Sequence, residues 1–191
     1  MKRYLAKPLS KIFSYDNTVG LIRMVTKTAD FVRFWQFDIY NKIPDEQCVI
    51  AFNHAFKFCG KVVDHYVIAA SCSKKMVGIA YHELFKSEFN KPFLENWGTI
   101  STHDLIKIKK ILKQDEVIAI APEGPEHIPA KNGYLGVAWI AKQCEIPILP
   151  VKITAKKRYV RLEPKPKILV PKDADKLKLR EITDLVMEEL K

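Results

Sequence analysis

The sequence predicts an α/β layered domain, with a mainly parallel central sheet flanked by helices and an amphipathic helix at the N-terminal end. Short apolar runs alternate with segments of helical period along most of the chain, the rhythm of strand-helix-strand units. Two of these runs, Cys48–Phe52 and Val117–Ala121, are continuously apolar, as expected of strands covered on both faces. The 191 residues, 48% of them hydrophobic, suffice for one sizeable core and are too few for two. We therefore expect a single domain, made of an N-terminal helical segment (1–34), an α/β core (35–171) and a C-terminal helix (172–191).

From Thr18 to Arg33, Leu21, Ile22, Val25, Ala29 and Val32 recur at helical spacing with Arg23, Lys27 and Asp30 between them, which predicts an amphipathic helix. Trp35, Phe37 and Ile39 then alternate with Gln36, Asp38 and Tyr40, a strand period, and residues 41–46 form a proline-containing turn. After Cys48–Phe52 the pattern predicts a helix around Val63–Cys72, a strand at Met76–Tyr81, a short strand at Gly98–Ser101 and a helix from His103 to Leu112 capped by Thr102. Beyond Val117–Ala121 come a helix at Gly133–Gln143 and a strand at Ile148–Ile153. Short strands at Tyr159–Leu162 and Ile168–Val170 follow, and a closing amphipathic helix spans Leu177–Leu190.

Lys and Arg exceed Asp and Glu by 32 to 22, a net charge of +10. This balance favours anionic partners, or it is the spread lysine surface of a soluble protein. Nucleic acid is not the expected partner, because no helix-turn-helix, zinc pattern or RNP-like strand accompanies the charge. The four cysteines, Cys48, Cys59, Cys72 and Cys144, contain no CxxC pair, which points away from a zinc site or a disulfide framework, and we expect no metal. The opening MKRYLAKPLSKIF is basic without an apolar core of signal-peptide type. No run approaches the roughly 18 to 20 apolar residues of a spanning helix. The expected location is cytoplasmic, with peripheral membrane contact.

In parallel sheets ligands bind outside the carboxyl ends of the strands. Asn53 and His54 follow Cys48–Phe52, and Glu123 and Gly124 follow Val117–Ala121. By position alone, His54 reads either as an active-site base or as a loop histidine bonded to backbone. Four ordered runs, IPDEQCVIAFNH, KKMVGIAYHELFKSEFNKPFLENWGTIS, VIAIAPEGPEH and IAKQCEIPILPV, extend the pattern from about Trp35 to Val151. The ordered set resembles the glycerolipid acyltransferase family, which includes the lysophosphatidic acid acyltransferases. Asn53 and His54 match its first block, Gly98 the second, Pro122, Glu123 and Gly124 the third, and Pro147, Pro150 and Val151 the fourth.

The resemblance implies transfer of a fatty acyl group from acyl-CoA or acyl carrier protein, as co-substrate and with no other cofactor, to a lipid hydroxyl of lysophospholipid type. It implies His54 as general base with a carboxylate on its other ring nitrogen. The family's HX4D pattern places that aspartate where this chain has Cys59. Asp64, at the start of the next helix, is the candidate in its place, with a longer loop, Phe56 to Val63, between base and acid. Two other readings of these residues stand beside it: Asp64 as a plain helix N-terminal acid, and Cys59 as a thiolate nucleophile activated by His54. Substrate contacts are implied at Asn53, Gly98, Glu123, Gly124 and Lys131. The arginines that close the family's second and third blocks are replaced by Asp104 and Glu126, so an acceptor phosphate would need charge from Lys57, Lys61 or Lys131. The same departures support an alternative function, an impaired relative that binds lipid or acyl chains. The basic and aromatic stretch from Arg23 to Trp35 reads either as a contact for an anionic membrane surface or as a helix packed on the sheet edge.

Overall fold

The computed structural model describes residues 14–31, 36–40, 42–55, 57–58, 61–62, 64–88, 90–108, 116–124, 132–156 and 158–191. Among these, helix α1 (Tyr15–Phe31) leads into β1 (Gln36–Asp38) and β2 (Val49–Phe52). Two two-residue strands, β3 (Lys57–Phe58) and β4 (Lys61–Val62), precede α2 (Asp64–Ser71) and β5 (Lys75–Ala80). Helices α3 (Glu83–Lys86) and α4 (Asn90–Asn96), β6 (Ile100–Ser101) and a 3-10 helix (Thr102–Lys107) come next. The chain continues through β7 (Glu116–Ile120), α5 (Gly136–Cys144), β8 (Ile148–Lys156) and β9 (Tyr159–Pro164) to α6 (Lys176–Glu189).

Seven strands form one sheet in the order β1-β9-β8-β2-β7-β5-β6. All neighbours are parallel except β8 and β9. That exception follows from the short connection between Lys156 and Tyr159: a hairpin can turn that tightly, whereas a parallel crossover needs a dozen or more residues. Strand alternation divides the core between the two faces. Ile50, Phe52, Leu149 and Val151 point toward α1 and α2 with Val67 and Ile68. Val49, Ala51, Ile118 and Ile148 point toward α5 and α6 with Val137, Ile140, Ile182 and Val186.

Several expectations change. The buried face of α1 is Tyr15, Val19 and Thr26 with half-buried Ile22, while Leu21, Met24 and Val25 are exposed by 48%, 60% and 54%. The apolar spacing that includes Leu21 and Val25 therefore marks the outer side of the helix. Arg23 is turned inward: its guanidinium donates to the carbonyl oxygens of Ala70, at 3.0 Å, and Cys72, satisfying the carboxyl end of α2. The 3-10 helix begins at Thr102, and the hydroxyl of Ser101 accepts from the His103 amide at 3.2 Å, so Ser101 rather than Thr102 is the cap. The strand expected at Ile168–Val170 is a single antiparallel bridge, Ile148 to Ile168. Trp35, Arg33, Cys59, Glu126 and Lys131 lie outside the described residues. No described helix is long and apolar enough to cross a membrane.

Candidate active site

Both polar clusters sit at the carboxyl edge of neighbouring strands. β2 pairs β7 in parallel with Ala51 opposite Ile120, so the residues following each strand leave the sheet side by side. Asn53 binds the end of β2 to β8: its amide nitrogen donates to the Ile153 carbonyl at 3.1 Å, and its amide oxygen accepts from the Ile153 N–H at 2.6 Å. The Asn53 side chain thus continues the backbone ladder by one rung and sets where the next residue, His54, begins. Replacing Asn53 by Ala removes both bonds and leaves β8 groups without partners. A loss of about 1–3 kcal/mol in chemical denaturation is expected, and unchanged stability would contradict the clamp.

His54 is held at three points. Its backbone N–H donates to Glu123 Oε2 at 3.0 Å, Nδ1 lies 3.1 Å from Asp64 Oδ2, and Nε2 lies 3.1 Å from the Gly124 carbonyl oxygen. The Phe52 ring stands edge-on to the imidazole, with centroids 6.1 Å apart. Asp64 is fully buried at the N-terminus of α2, where the helix dipole favours its charge. Its second oxygen accepts from the Ala55 amide at 3.2 Å. Between base and acid, β3 and β4 pair with Lys57 opposite Val62 and Phe58 opposite Lys61. Pairing within the insertion returns the chain on itself, and Asp64 thereby meets His54 across ten residues where the family spacing uses five.

The electrostatics follow from these contacts. The hydrogen bond that His54 donates to Asp64 raises the His54 pKa above its ordinary 6.5; burial opposes the rise, and the Asp64 charge, the Gly124 carbonyl and Glu123 add to it. Both ring nitrogens face oxygen acceptors, and only the imidazolium donates from both at once. His65, the residue after Asp64, is pushed down to about 4, chiefly by burial, with its ring 4.0 Å from that of Tyr66 and 6.2 Å from that of Trp97. His65 is therefore neutral at pH 7 and does not compete with His54 as a cation beside Asp64. Burial also raises the thiols of Cys48, to about 11, and Cys72, to about 12. Neither is a thiolate near neutrality.

Gly124 has φ +79°, and a Cβ placed there would come within 2.3 Å of the Tyr134 ring. Only glycine accepts both that dihedral and that approach. The structure thus brings together His54, Asp64, Asn53, Glu123 and Gly124. It does not bring Gly98 to them: this residue, at φ +68°, lies beside Lys75 at the start of β5, on the opposite edge of the sheet. The Ala55 amide and the Gly124 carbonyl escape a reading of the sequence, because backbone groups leave no mark in it; His65 escapes it because burial, not residue type, makes it inert. Among the described residues no His, Cys, Asp and Glu group is arranged to hold a metal ion.

Comparison with known proteins gives the fold and the family of the chain. A crystal structure of the 1-acyl-sn-glycerophosphate (LPA) acyltransferase PlsC from Thermotoga maritima superposes with a TM-score of 0.61 at 19% identity, over 98% of this chain and 82% of that one. The likeness establishes a shared fold. No curated protein matches the chain. The sequence model of the Acyltransferase family matches residues 36–154, which include every member of the His54 cluster and well over half of the chain. The chain belongs to the acyltransferase family.

Proposed function

We propose that this acyltransferase moves a fatty acyl group from acyl-CoA or acyl carrier protein to a hydroxyl of a lysophospholipid-like acceptor, working at an anionic membrane surface as one domain over residues 1–191. The observation that carries the reading is the buried Asp64 carboxylate on Nδ1 of His54, the arrangement a histidine general base requires.

In this reading Asp64 fixes the tautomer with the proton on Nδ1, leaving the Nε2 lone pair for chemistry. Nε2 takes the acceptor's hydroxyl proton as the oxygen attacks the thioester carbon. The tetrahedral intermediate then expels the thiolate, and the imidazolium returns the proton to sulfur, so the products are ester and thiol. When His54 is neutral, its Nε2 lone pair and the Gly124 carbonyl oxygen repel, and the acceptor hydroxyl takes the carbonyl's place. Glu123, held on the His54 amide, stands where an incoming hydroxyl can donate to it. Asn53 positions the base through its two bonds to Ile153 and stands beside it as a candidate substrate contact. Gly98 shapes the turn into β6, and Lys131 remains a candidate contact for an anionic group.

The purified chain given acyl-CoA and a lysophospholipid should release thiol at a rate that depends on both substrates. Release that needs no acceptor, or none at all with either donor, overturns the reading. The neutral imidazole is the working form, so turnover should rise with pH through an apparent pKa above 6.5. A limb below that value would contradict it. Stability runs the other way. The raised pKa contributes stability below the unfolded imidazole value, and this is lost as pH rises through the folded value.

A further inference from the structure

The His54 cluster is drawn from the turns after β2 and β7 and from the start of α2, and the turn after β7 has a support of its own in α6. Arg180, Thr183, Asp184 and Met187 recur on that helix at i, i+3, i+4 and i+7, which puts them in one stripe. The stripe meets the chain at Asn132 and Gly133. Arg180 Nη1 donates to the Gly133 carbonyl at 2.9 Å, and Nη2 donates to the Asn132 carbonyl. Asp184 aims the guanidinium: its Oδ1 accepts from Nε at 3.1 Å and lies 2.8 Å from Nη2. Gly133 has φ +72°, and a Cβ there would stand 2.8 Å from both Cγ and Sδ of Met187 and 3.3 Å from Cγ2 of Thr183. The Thr183 hydroxyl donates to the Leu179 carbonyl at 2.8 Å, which leaves its methyl toward Gly133.

Tyr134, the residue after Gly133, carries this hold to the site. Its N–H donates to the Pro122 carbonyl at 2.7 Å, and its ring lies against Gly124. The Gly124 N–H closes the turn on the Ala121 carbonyl at 3.1 Å. From that turn Glu123 accepts from the His54 amide, and the Gly124 carbonyl faces His54 Nε2. The two carbonyls that Arg180 binds flank the Cα of Gly133, so bonding both fixes its φ and ψ and thereby the direction in which Tyr134 leaves. A glycine visits positive and negative φ with similar ease, and outside contacts decide which it keeps. Here those contacts are the packing of Thr183 and Met187 and the planar fork of Arg180, whose charge-assisted bonds resist rotation of either peptide.

We propose that Arg180 is a positioning residue for acyl transfer: by fixing the backbone at Gly133 it sets Tyr134, and through Tyr134 the turn that presents Glu123 and Gly124 to His54. It rests on the reading of His54 as the base, and it extends the support of that base to the C-terminal helix. Arg180 acts through the turn rather than on the reacting atoms. Lysine is a poor substitute in this role, because one ammonium reaches one carbonyl and does not hold two peptides in a plane.

Arg180→Ala should lower kcat about 3- to 30-fold, the range for a residue coupled to a site it does not touch. Arg180→Lys should fall between Ala and wild type. Ile182→Val is the control: it trims the buried face of the same helix and costs stability but keeps the fork, so its kcat should stay within about 2-fold of wild type. An NMR titration of the His54 imidazole reads the turn without any turnover. The Asp64 hydrogen bond does most to raise that pKa, burial opposes it, and the Asp64 charge, the Gly124 carbonyl and Glu123 add to it. A turn that drifts loses the Gly124 and Glu123 contributions and keeps those of Asp64. The midpoint should therefore move to lower pH in Arg180→Ala and stay in place in Ile182→Val. An unchanged midpoint in Arg180→Ala, or a kcat within about 2-fold of wild type, would overturn the positioning role and leave acyl transfer standing. Equal losses in Ile182→Val would also overturn it, by assigning the effect to the stability of α6. A shifted midpoint in a chain that transfers no acyl group would support the hold of Arg180 on the turn and overturn only the proposed activity.

Discussion

His54→Ala should lower acceptor-dependent thiol release by about 1,000-fold, within the range that a positioned general base supplies. The alanine keeps the backbone N–H that donates to Glu123, so the turn after β7 retains its tie to the turn after β2. What disappears is the group that accepts the hydroxyl proton. Loss of the imidazole takes one partner from the buried Asp64 carboxylate and costs stability, so folding must be checked by circular dichroism before the rate is read. Asp64→Asn is the more discriminating companion. Asn can still accept from the Ala55 amide, but it removes the negative charge and the carboxylate hydrogen bond that does most to raise the His54 pKa. Turnover should fall about 10-fold or more, and the limb of the pH profile should move to lower pH. A mere helix N-terminal acid would leave that limb in place. If His54→Ala keeps more than a tenth of the activity, the base lies elsewhere. An unchanged rate in Asp64→Asn would point to Cys59 or to a bridging water as the partner of His54.

The buried strands were legible because β2 and β7 are covered on both faces and so carry unbroken apolar runs. The site followed from them, since parallel strands deliver the residues after Phe52 and Ile120 to one edge. The pairing of His54 with Asp64 was legible only as one of three readings. Spacing along the chain does not say whether an insertion folds back, and it is the β3–β4 pairing that closes it. α1 misled through its outer face: Leu21, Met24 and Val25 are as apolar as the residues that pack, and a chain cannot announce which of two apolar stripes meets the core. α3 and α4 were hidden for the opposite reason. Each is short, and HELFKSEFNKPFLENW mixes aromatic, charged and proline residues without a clean period.

Gly124→Ala should damage both stability and turnover, and a second substitution separates the causes. At φ +79° an alanine costs roughly 1–2 kcal/mol of backbone strain. Its Cβ would also meet Tyr134 Cε2 at 2.3 Å and Cδ2 at 2.8 Å. Tyr134 is 47% exposed, so its ring can swing outward and relieve the collision, whereas the dihedral strain has no such outlet. The turn would relax toward negative φ, carrying with it the carbonyl that faces His54 Nε2 and the Glu123 carboxylate on the His54 amide. We expect a loss of about 1–3 kcal/mol in denaturant unfolding, with turnover reduced about 10-fold or more, because a small misplacement of the base is costly. In the double variant Gly124→Ala, Tyr134→Ala the steric part is gone. Stability should recover in part relative to Gly124→Ala, while turnover should not, because the displaced turn still misplaces the base. Recovery of both would assign the effect to crowding by Tyr134 alone, and wild-type behaviour of Gly124→Ala would remove this turn from the geometry that governs His54.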